Sequence, residues 1–228
     1  MRSRLAIAAL AALLLPVAAH AQAPIVWGPA PAVFPAGAKM AVLQGDPGST
    51  AMFTVRLELP DDGRRYEVVA GELLVTPAPS FPHQEAVKRL LRSLDDYVAD
   101  NGIGYAVISP ADITPESGAL VQPDVFVVGP VGGRRPRNWG DIERLLLAVE
   151  VLSPTTARAD RTIKRRLYQR AGIEYWIVDL EARLVERWTT LDERPEVLTG
   201  TLIWRPDSTR DPLIIDLEMY FRRVLDES

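Results

Sequence analysis

Gln122-Pro123-Asp124-Val125-Phe126-Val127-Val128, Leu146-Leu147-Ala148-Val149-Glu150-Val151-Leu152 and Glu174-Tyr175-Trp176-Ile177-Val178-Asp179 are the runs whose reading decides the fold of this chain. Each is a strand-length block of β-branched, aromatic and aliphatic residues, the pattern of a buried strand. The second block is apolar on both faces apart from Glu150, which predicts a central strand covered on both sides. Ser153-Pro154-Thr155-Thr156 follows it, and then a basic segment that predicts a helix from about Ala157 to Ala171. Strand, helix and strand in this order predict an α/β domain.

Two of the blocks carry an acid, Asp124 at the head of one and Glu150 inside the next. A buried carboxylate without a partner is costly, so it persists where a metal, a cation or hydrogen bonds compensate it. Two acids on neighbouring strands with a lysine close behind are what a metal-dependent phosphodiesterase needs. An ion pair between Glu150 and an arginine or lysine of an ordinary α/β domain satisfies the same cost. In the following helix Ile163, Leu167 and Ala171 form the expected buried stripe, while Asp160, Lys164 and Tyr168, spaced by four, share an adjacent face. Lys164 is then either a solvated lysine paired with Asp160, contributing a few tenths of a kcal/mol, or a side chain leaning over the end of the Glu150 strand. Arg158, Arg161, Arg165, Arg166 and Arg170 make the helix strongly basic.

Upstream, Arg65 to Thr76 reads as a β-hairpin turning at Ala70-Gly71, with Glu67 and Glu72 in its strands. Strand acids of this kind are usually on a solvated face; Glu72 is retained as a supporting candidate. Pro77, Pro79 and Pro82 lead into a helix from His83 to Asn101, in which Ala86, Val87, Leu90, Leu91, Leu94, Tyr97 and Val98 recur at helical spacing, and Gly102 stops it. His83 at its start is a capping or packing residue, or a support for the acids. After the Asp124 strand comes a loop with Gly132, Gly133, Arg134, Arg135, Arg137 and Asn138; it lacks the Gly-Lys-Ser/Thr ending of a Walker loop. The loop is either solvated or a contact for phosphates. A last strand pair is expected at Glu174 to Asp179 and Leu184 to Thr189.

Composition sets the frame for these elements. With 47% hydrophobic and 25% charged residues the chain matches an average globular protein and has material for a core. The lack of cysteine excludes disulfides, zinc-thiolate sites and thiol nucleophiles. A formal net charge of −4 argues against a surface coated in positive charge, though a local basic face still suits nucleic acid. At the N-terminus, Arg2 and Arg4, the apolar run Leu5 to Val17 and Ala19-His20-Ala21 predict a cleaved secretory leader over residues 1–21, too short in its apolar part for a comfortable membrane span. The expectation is an exported or periplasmic protein without a membrane anchor once the leader is removed, and a cytoplasmic one without a working leader.

Residues 22–56 are rich in proline and glycine, with candidate strands at Lys39 to Gln44 and Met52 to Leu59. Phe34-Pro35-Ala36-Gly37-Ala38-Lys39-Met40-Ala41-Val42-Leu43-Gln44-Gly45-Asp46-Pro47 and Phe53-Thr54-Val55-Arg56-Leu57 resemble the opening of small exported cupin proteins. In that family the metal-binding histidines come soon afterwards. Here Asp61-Asp62-Gly63-Arg64-Arg65 stands there, and the only histidines are His20 and His83, so the resemblance does not extend to a cupin metal site.

A second resemblance covers about Leu57 to Leu225. Tyr66-Glu67-Val68-Val69-Ala70-Gly71-Glu72-Leu73, Pro79-Ser80-Phe81-Pro82-His83-Gln84, Gln122-Pro123-Asp124-Val125, Val149-Glu150-Val151-Leu152-Ser153-Pro154-Thr155, and Asp160 through Lys164 and Tyr168 to Glu174-Tyr175-Trp176 stand in the order of the Uma-type restriction-endonuclease-like family, placed with the PD-(D/E)XK nucleases. No one of these marks is specific; the ordered set is. The resemblance implies a restriction-endonuclease-like mixed β-sheet flanked by helices over residues 57–228, following an N-terminal β/coil extension. It implies a metal-dependent DNA endonuclease with Asp124, Glu150 and Lys164 as catalytic residues and Glu72, His83, Asp160 and Tyr168 in support. The common pattern puts the lysine two residues after the acid, where this chain has Leu152; in the Uma-type family its role moves to the next helix, which implies Lys164. Mg²⁺ or Mn²⁺ is the implied cofactor, held by Asp124, Glu150 and the Val151 carbonyl, since such an ion takes one or two carboxylates and keeps several waters. DNA is the implied partner, met through Arg134, Arg135, Arg161 and Arg165, and a homodimer is left open. The alternatives are a non-catalytic nucleic-acid-binding or interaction module of the same fold, and an exported cupin-like protein without a metal site.

Overall fold

The structure is a computed structural model and describes residues 25–227 apart from 33, 49–53, 63, 70, 71, 77, 117, 118, 143 and 155. The expected leader and the Ala70-Gly71 turn lie outside the described residues. The chain divides into two compact units, one ending at Pro60 and the other beginning at Asp61.

The first unit is an antiparallel sheet in the order β1 (Gly28–Pro29), β2 (Lys39–Gln44), β3 (Thr54–Glu58). The alternation expected in β3 is observed: Val55 and Leu57 are half-buried while Thr54, Arg56 and Glu58 are exposed. Ala38 and Ala41 are its buried residues among those described, and Lys39 pairs with Glu58 at the surface, a contact that contributes little to stability.

In the second unit, β4 (Arg65–Val69) and β5 (Glu72–Thr76) form a hairpin and α1 (Phe81–Asp100) follows. Ser80 caps α1 by accepting the His83 N–H, and Pro82 sits in the first turn, where its missing N–H costs nothing. Gly102, at φ +63°, closes the helix in the left-handed conformation glycine adopts without strain.

The main sheet has the order β11-β10-β9-β8-β7-β6. Its strands are β6 (Tyr105–Ile108), β7 (Val125–Val128), β8 (Leu145–Val151), β9 (Glu174–Asp179), β10 (Leu184–Trp188) and β11 (Glu196–Leu198). All neighbours are antiparallel except β8 and β9. A parallel pair needs a crossover, and the helical segment of residues 157–170 supplies it. Gly104 lets the start of β6 approach β7, since a Cβ there would stand 2.0 Å from the Val128 carbonyl oxygen. The hairpin of β12 (Thr201–Trp204) and β13 (Leu213–Asp216) and the helix α4 (Leu217–Val224) complete the unit. Among the described residues no helix is long and apolar enough to cross a membrane.

Strand alternation divides the core into two. Val125, Val127, Leu147, Val149, Val151, Trp176 and Val178 pack with Leu90 and Leu94 of α1 and with Phe221 and Val224 of α4. Phe126, Val128, Ala148, Tyr175 and Ile177, one position out of phase, pack with Val69 of the hairpin and with Leu167 and Tyr168 of the crossover.

The crossover departs from the expected helix. It consists of α2 (Ala157–Ala159), a π-helical turn (Asp160–Lys164) and α3 (Arg165–Arg170), and the Arg165 N–H bonds the Asp160 carbonyl five residues back. The expected stripe of Ile163, Leu167 and Ala171 is corrected accordingly. Asp160, Lys164, Leu167 and Tyr168 are buried, while Ile163 and Ala171 are only half-buried. The wider turn brings the polar pair onto the face that meets the sheet, a use of π-turns frequent at functional sites.

Candidate active site

The register of β7 and β8 pairs Val125 with Val149, so Asp124 and Glu150 follow as the next opposed positions. Asp124 lies one residue before β7, in phase with Phe126, and Glu150 is in phase with Ala148, which aims both acids at the same face. Both are buried, at 4% and 3% exposure, so the strand termini carry two carboxylates away from bulk water.

Asp124 is held from three elements. Its Oδ1 accepts from Arg65 Nη1 of β4 at 2.6 Å, and its Oδ2 accepts the Val151 N–H at 2.9 Å and lies 3.1 Å from His83 Nε2 in the first turn of α1. Burial by itself raises the Asp124 carboxyl, but the bond to His83, the Arg65 charge and the Val151 N–H together hold it below the ordinary carboxylate range.

Glu150 meets Lys164. The Lys164 ammonium, 2% exposed, stands 2.8 Å from Glu67 Oε2, 3.0 Å from Glu150 Oε1 and 3.2 Å from Asp160 Oδ1. Glu67 Oε1 accepts the Gln122 N–H at 2.8 Å, which ties β4 to the residue just before Pro123-Asp124. Burial pushes the Glu150 carboxyl well above its usual range; Lys164 opposes this, and Asp124, Asp160 and Glu67 add to it. Burial likewise raises Asp160. Burial works against the charged form of Lys164, yet the three carboxylates outweigh it and keep the ammonium protonated.

Arg65, Glu67, His83, Asp124, Glu150, Val151 and Lys164 line one cavity of about 250 Å³. With Asp160 behind Lys164, four carboxylates face two permanent cations, Arg65 and Lys164. The surplus negative charge and the hard oxygen donors fit a divalent cation. Among the described residues no three His, Asp or Glu side chains form a ready metal cage; an ion of the Mg²⁺ type needs only one or two carboxylates and fills its other positions with water. Glu150 takes the Lys164 ammonium on Oε1, whereas Asp124 already accepts three contacts.

The remaining candidates separate. Tyr168 is fully buried, its ring 4.7 Å from that of Tyr175, and burial raises its phenol well above the usual range, so it is neutral beside the cluster. Its hydroxyl and His83 Nδ1 have no hydrogen-bond partner among the described residues. Glu72 opens β5 in register with Val69; its side chain lies outside the described residues. Arg161 is engaged by Asp179 at 2.8 Å and Glu186 at 2.6 Å, and Arg165 lies over the Trp188 ring at 4.7 Å and bonds Gln169, so neither guanidinium stands free. Arg134 and Arg135 are exposed on the loop after β7 and do not join the cluster. Glu67 and Arg65 are the participants that sequence reasoning missed; their signal was the two-residue spacing Arg65, Glu67, Val69, a buried face ending in a fully buried valine.

Comparison with known proteins agrees with this architecture. A crystal structure described as "a putative nuclease belonging to DUF820", from Anabaena variabilis, superposes with a TM-score of 0.60 at 17% identity, covering 73% of this chain and 94% of that one. That likeness establishes the α/β, restriction-endonuclease-like fold. No curated protein matches the chain. The model of the Uma2 family, described as "Putative restriction endonuclease", matches residues 53–211, and the chain belongs to that family.

Proposed function

We propose that the Asp124–Glu150 cavity is the active centre of a metal-dependent endonuclease that hydrolyses phosphodiester bonds in DNA. The observation that carries this reading is the surplus of buried carboxylates at the paired ends of β7 and β8, opening into one cavity with Lys164 at its wall. Membership of a nuclease-like family supports it.

In this reading Asp124, Glu150 and the Val151 carbonyl hold Mg²⁺ or Mn²⁺. Such an ion supplies polarisation of a phosphoryl oxygen and a lowered pKa for an attacking water. Arg65, His83 and the Val151 N–H keep Asp124 ionised and fixed in orientation. Lys164, locked by three carboxylates, places a permanent positive charge beside Glu150, where it stabilises charge gathering on the phosphoryl group. Arg134 and Arg135 offer exposed charge for phosphate contacts that do not depend on sequence. Residues 57–228 are then the catalytic domain, residues 22–56 an extension, and residues 1–21 an export leader.

The test is nicking of supercoiled plasmid by the full chain in Mg²⁺ or Mn²⁺ and in chelator, beside Asp124→Ala and Glu150→Ala. Each acid variant is expected to lose at least about a hundredfold in rate while keeping its circular dichroism. A second reading, a binding module of the same fold, draws on Arg65 and Lys164 already neutralising part of the acid cluster. DNA binding without cleavage, unchanged in both acid variants, would decide for it.

A further inference from the structure

A second cavity, of about 430 Å³, opens at the far end of β7 beside the edge strand β6. Tyr105, Arg135, Arg137, Asn138 and Trp139 are among its lining residues. Trp139 is 46% exposed, unusual for so large an aromatic ring. It packs edge-on against the buried Phe126 at 6.3 Å, which anchors one side of the indole and leaves the rest at the surface. Across the cavity, the Arg135 guanidinium lies 5.4 Å from the centre of the Tyr105 ring.

The loop is built to hold these groups. Asp141 accepts the N–H of Arg137 at 3.0 Å and of Asn138 at 2.9 Å, so its carboxylate is engaged by backbone. Arg134 and Arg137 are exposed and have no carboxylate partner among the described residues, within a chain of net charge −4. An aromatic platform between unpaired arginines is complementary to a flat, π-faced ligand flanked by anions. A nucleobase on its sugar-phosphate strand has that chemistry. A base inside a duplex is already stacked on its neighbours, so the ligand is an unpaired base. Asp124 lines the first cavity and Val128 the second; four strand steps separate them, about 13 Å, within reach of one short strand.

We propose that this cavity is a stacking subsite for an unpaired nucleobase of single-stranded nucleic acid, with Trp139 and the Tyr105–Arg135 pair as its platform and Arg134 and Arg137 on the adjoining phosphates. As a substrate-binding feature it rests on the nuclease reading, but it is measured without metal or cleavage.

The probes are a fluorescein-labelled short oligothymidylate, the same backbone made entirely abasic, a duplex of equal length, and thymidine monophosphate. Each is titrated against the full chain in chelator. The oligothymidylate is expected to bind about tenfold more tightly than the abasic strand and more tightly than the duplex. Trp139→Leu, which keeps an apolar contact for Phe126, is expected to melt like the wild type and to erase the preference over the abasic strand; Trp139→Phe is expected to retain most of it. Equal binding of the two single strands by the wild type, or a preference that survives Trp139→Leu, overturns the subsite. Duplex bound as tightly as single strand also overturns it, and thymidine monophosphate bound as tightly as the strand overturns its assignment to a polymer. Loss of plasmid nicking in metal, with base preference intact, sinks the nuclease reading and not this one.

Discussion

Val125, Val127, Leu147, Val149 and Val151 lie on one side of the β7–β8 pair, where α1 and α4 cover them with Leu90, Leu94, Phe221 and Val224. One position away on the same strands, Asp124 and Glu150 face the other side, where Arg65, His83, Lys164, Glu67 and Asp160 surround them. The first face is held by apolar area removed from water, which adds up contact by contact and is nearly indifferent to pH. The second is held by charge balance among buried groups, where removal of one member strands the rest. The fold therefore carries its candidate chemistry on the face held by charge balance and not by apolar area.

Removing the cation tests that contrast most severely. Lys164→Met leaves Glu67, Glu150 and Asp160 without their shared ammonium, and a loss of about 3–5 kcal/mol is expected. Leu94→Ala on the apolar face costs a comparable amount, about 2–5 kcal/mol, through the cavity it leaves. Urea unfolding at two pH values separates the causes. Burial raises Glu150 and Asp160 in the fold and Lys164 is what opposes it, so without the ammonium both rise further. As pH falls, the variant then takes up protons ahead of the wild type and gains stability relative to it. Lys164→Met is expected to recover on acidification from pH 7 to pH 5, while Leu94→Ala keeps its deficit. A Lys164→Met deficit that does not change with pH would mean that lost packing, not charge, set its size.

A smaller effect divides the polar face itself. Glu150, raised in the fold, makes stability fall as pH rises above its unfolded value of about 4.3, by at most about 1.4 kcal/mol per pH unit for one proton. Asp124, lowered in the fold, acts in the opposite sense: its contribution is complete above about pH 4 and is lost as pH falls through its folded value. Glu150→Gln keeps the shape and removes one titration, so its stability profile above about pH 4.3 should be flatter than that of the wild type. Its acid limb, which reports Asp124, should be unchanged. Matching slopes for the two proteins would remove Glu150 as the source.

What the sequence disclosed follows the same division. The apolar blocks of β7, β8 and β9 declared central strands, because residues covered on both faces must be apolar at nearly every position. The same rule made Asp124 and Glu150 conspicuous as exceptions. Lys164 was not legible from spacing, since four-residue periodicity fits a solvated Asp160–Lys164 pair as well as a buried one; family resemblance singled it out. The π-turn that carries both residues inward has no local signature in Asp160-Arg161-Thr162-Ile163-Lys164. Glu67 was passed over because a hairpin acid is usually solvated, and nothing local announces that a residue 97 positions later, Lys164, covers it. Arg161 and Arg165 looked free for phosphate because their partners Asp179, Glu186 and Trp188 come from strands that meet the helix only in the folded chain.

The smallest expected effect lies where the two faces share an element. α1 lends Leu90 and Leu94 to the apolar side and His83 to the polar one, and Ser80 fixes its first turn by accepting the His83 N–H at 3.4 Å. That bond is long and the cap is exposed, so Ser80→Ala should cost no more than about 1 kcal/mol, a shift of about 2–4 °C in melting temperature for a domain of this size. Asparagine caps as well as serine and adds no charge beside the acids, so Ser80→Asn should melt like the wild type. If neither variant loses, the turn is held by Pro82 and by the His83–Asp124 contact, and the serine is incidental. If only the alanine variant loses, the helix start is set by its cap, and His83 reaches Asp124 because the apolar face has already docked the helix that carries it.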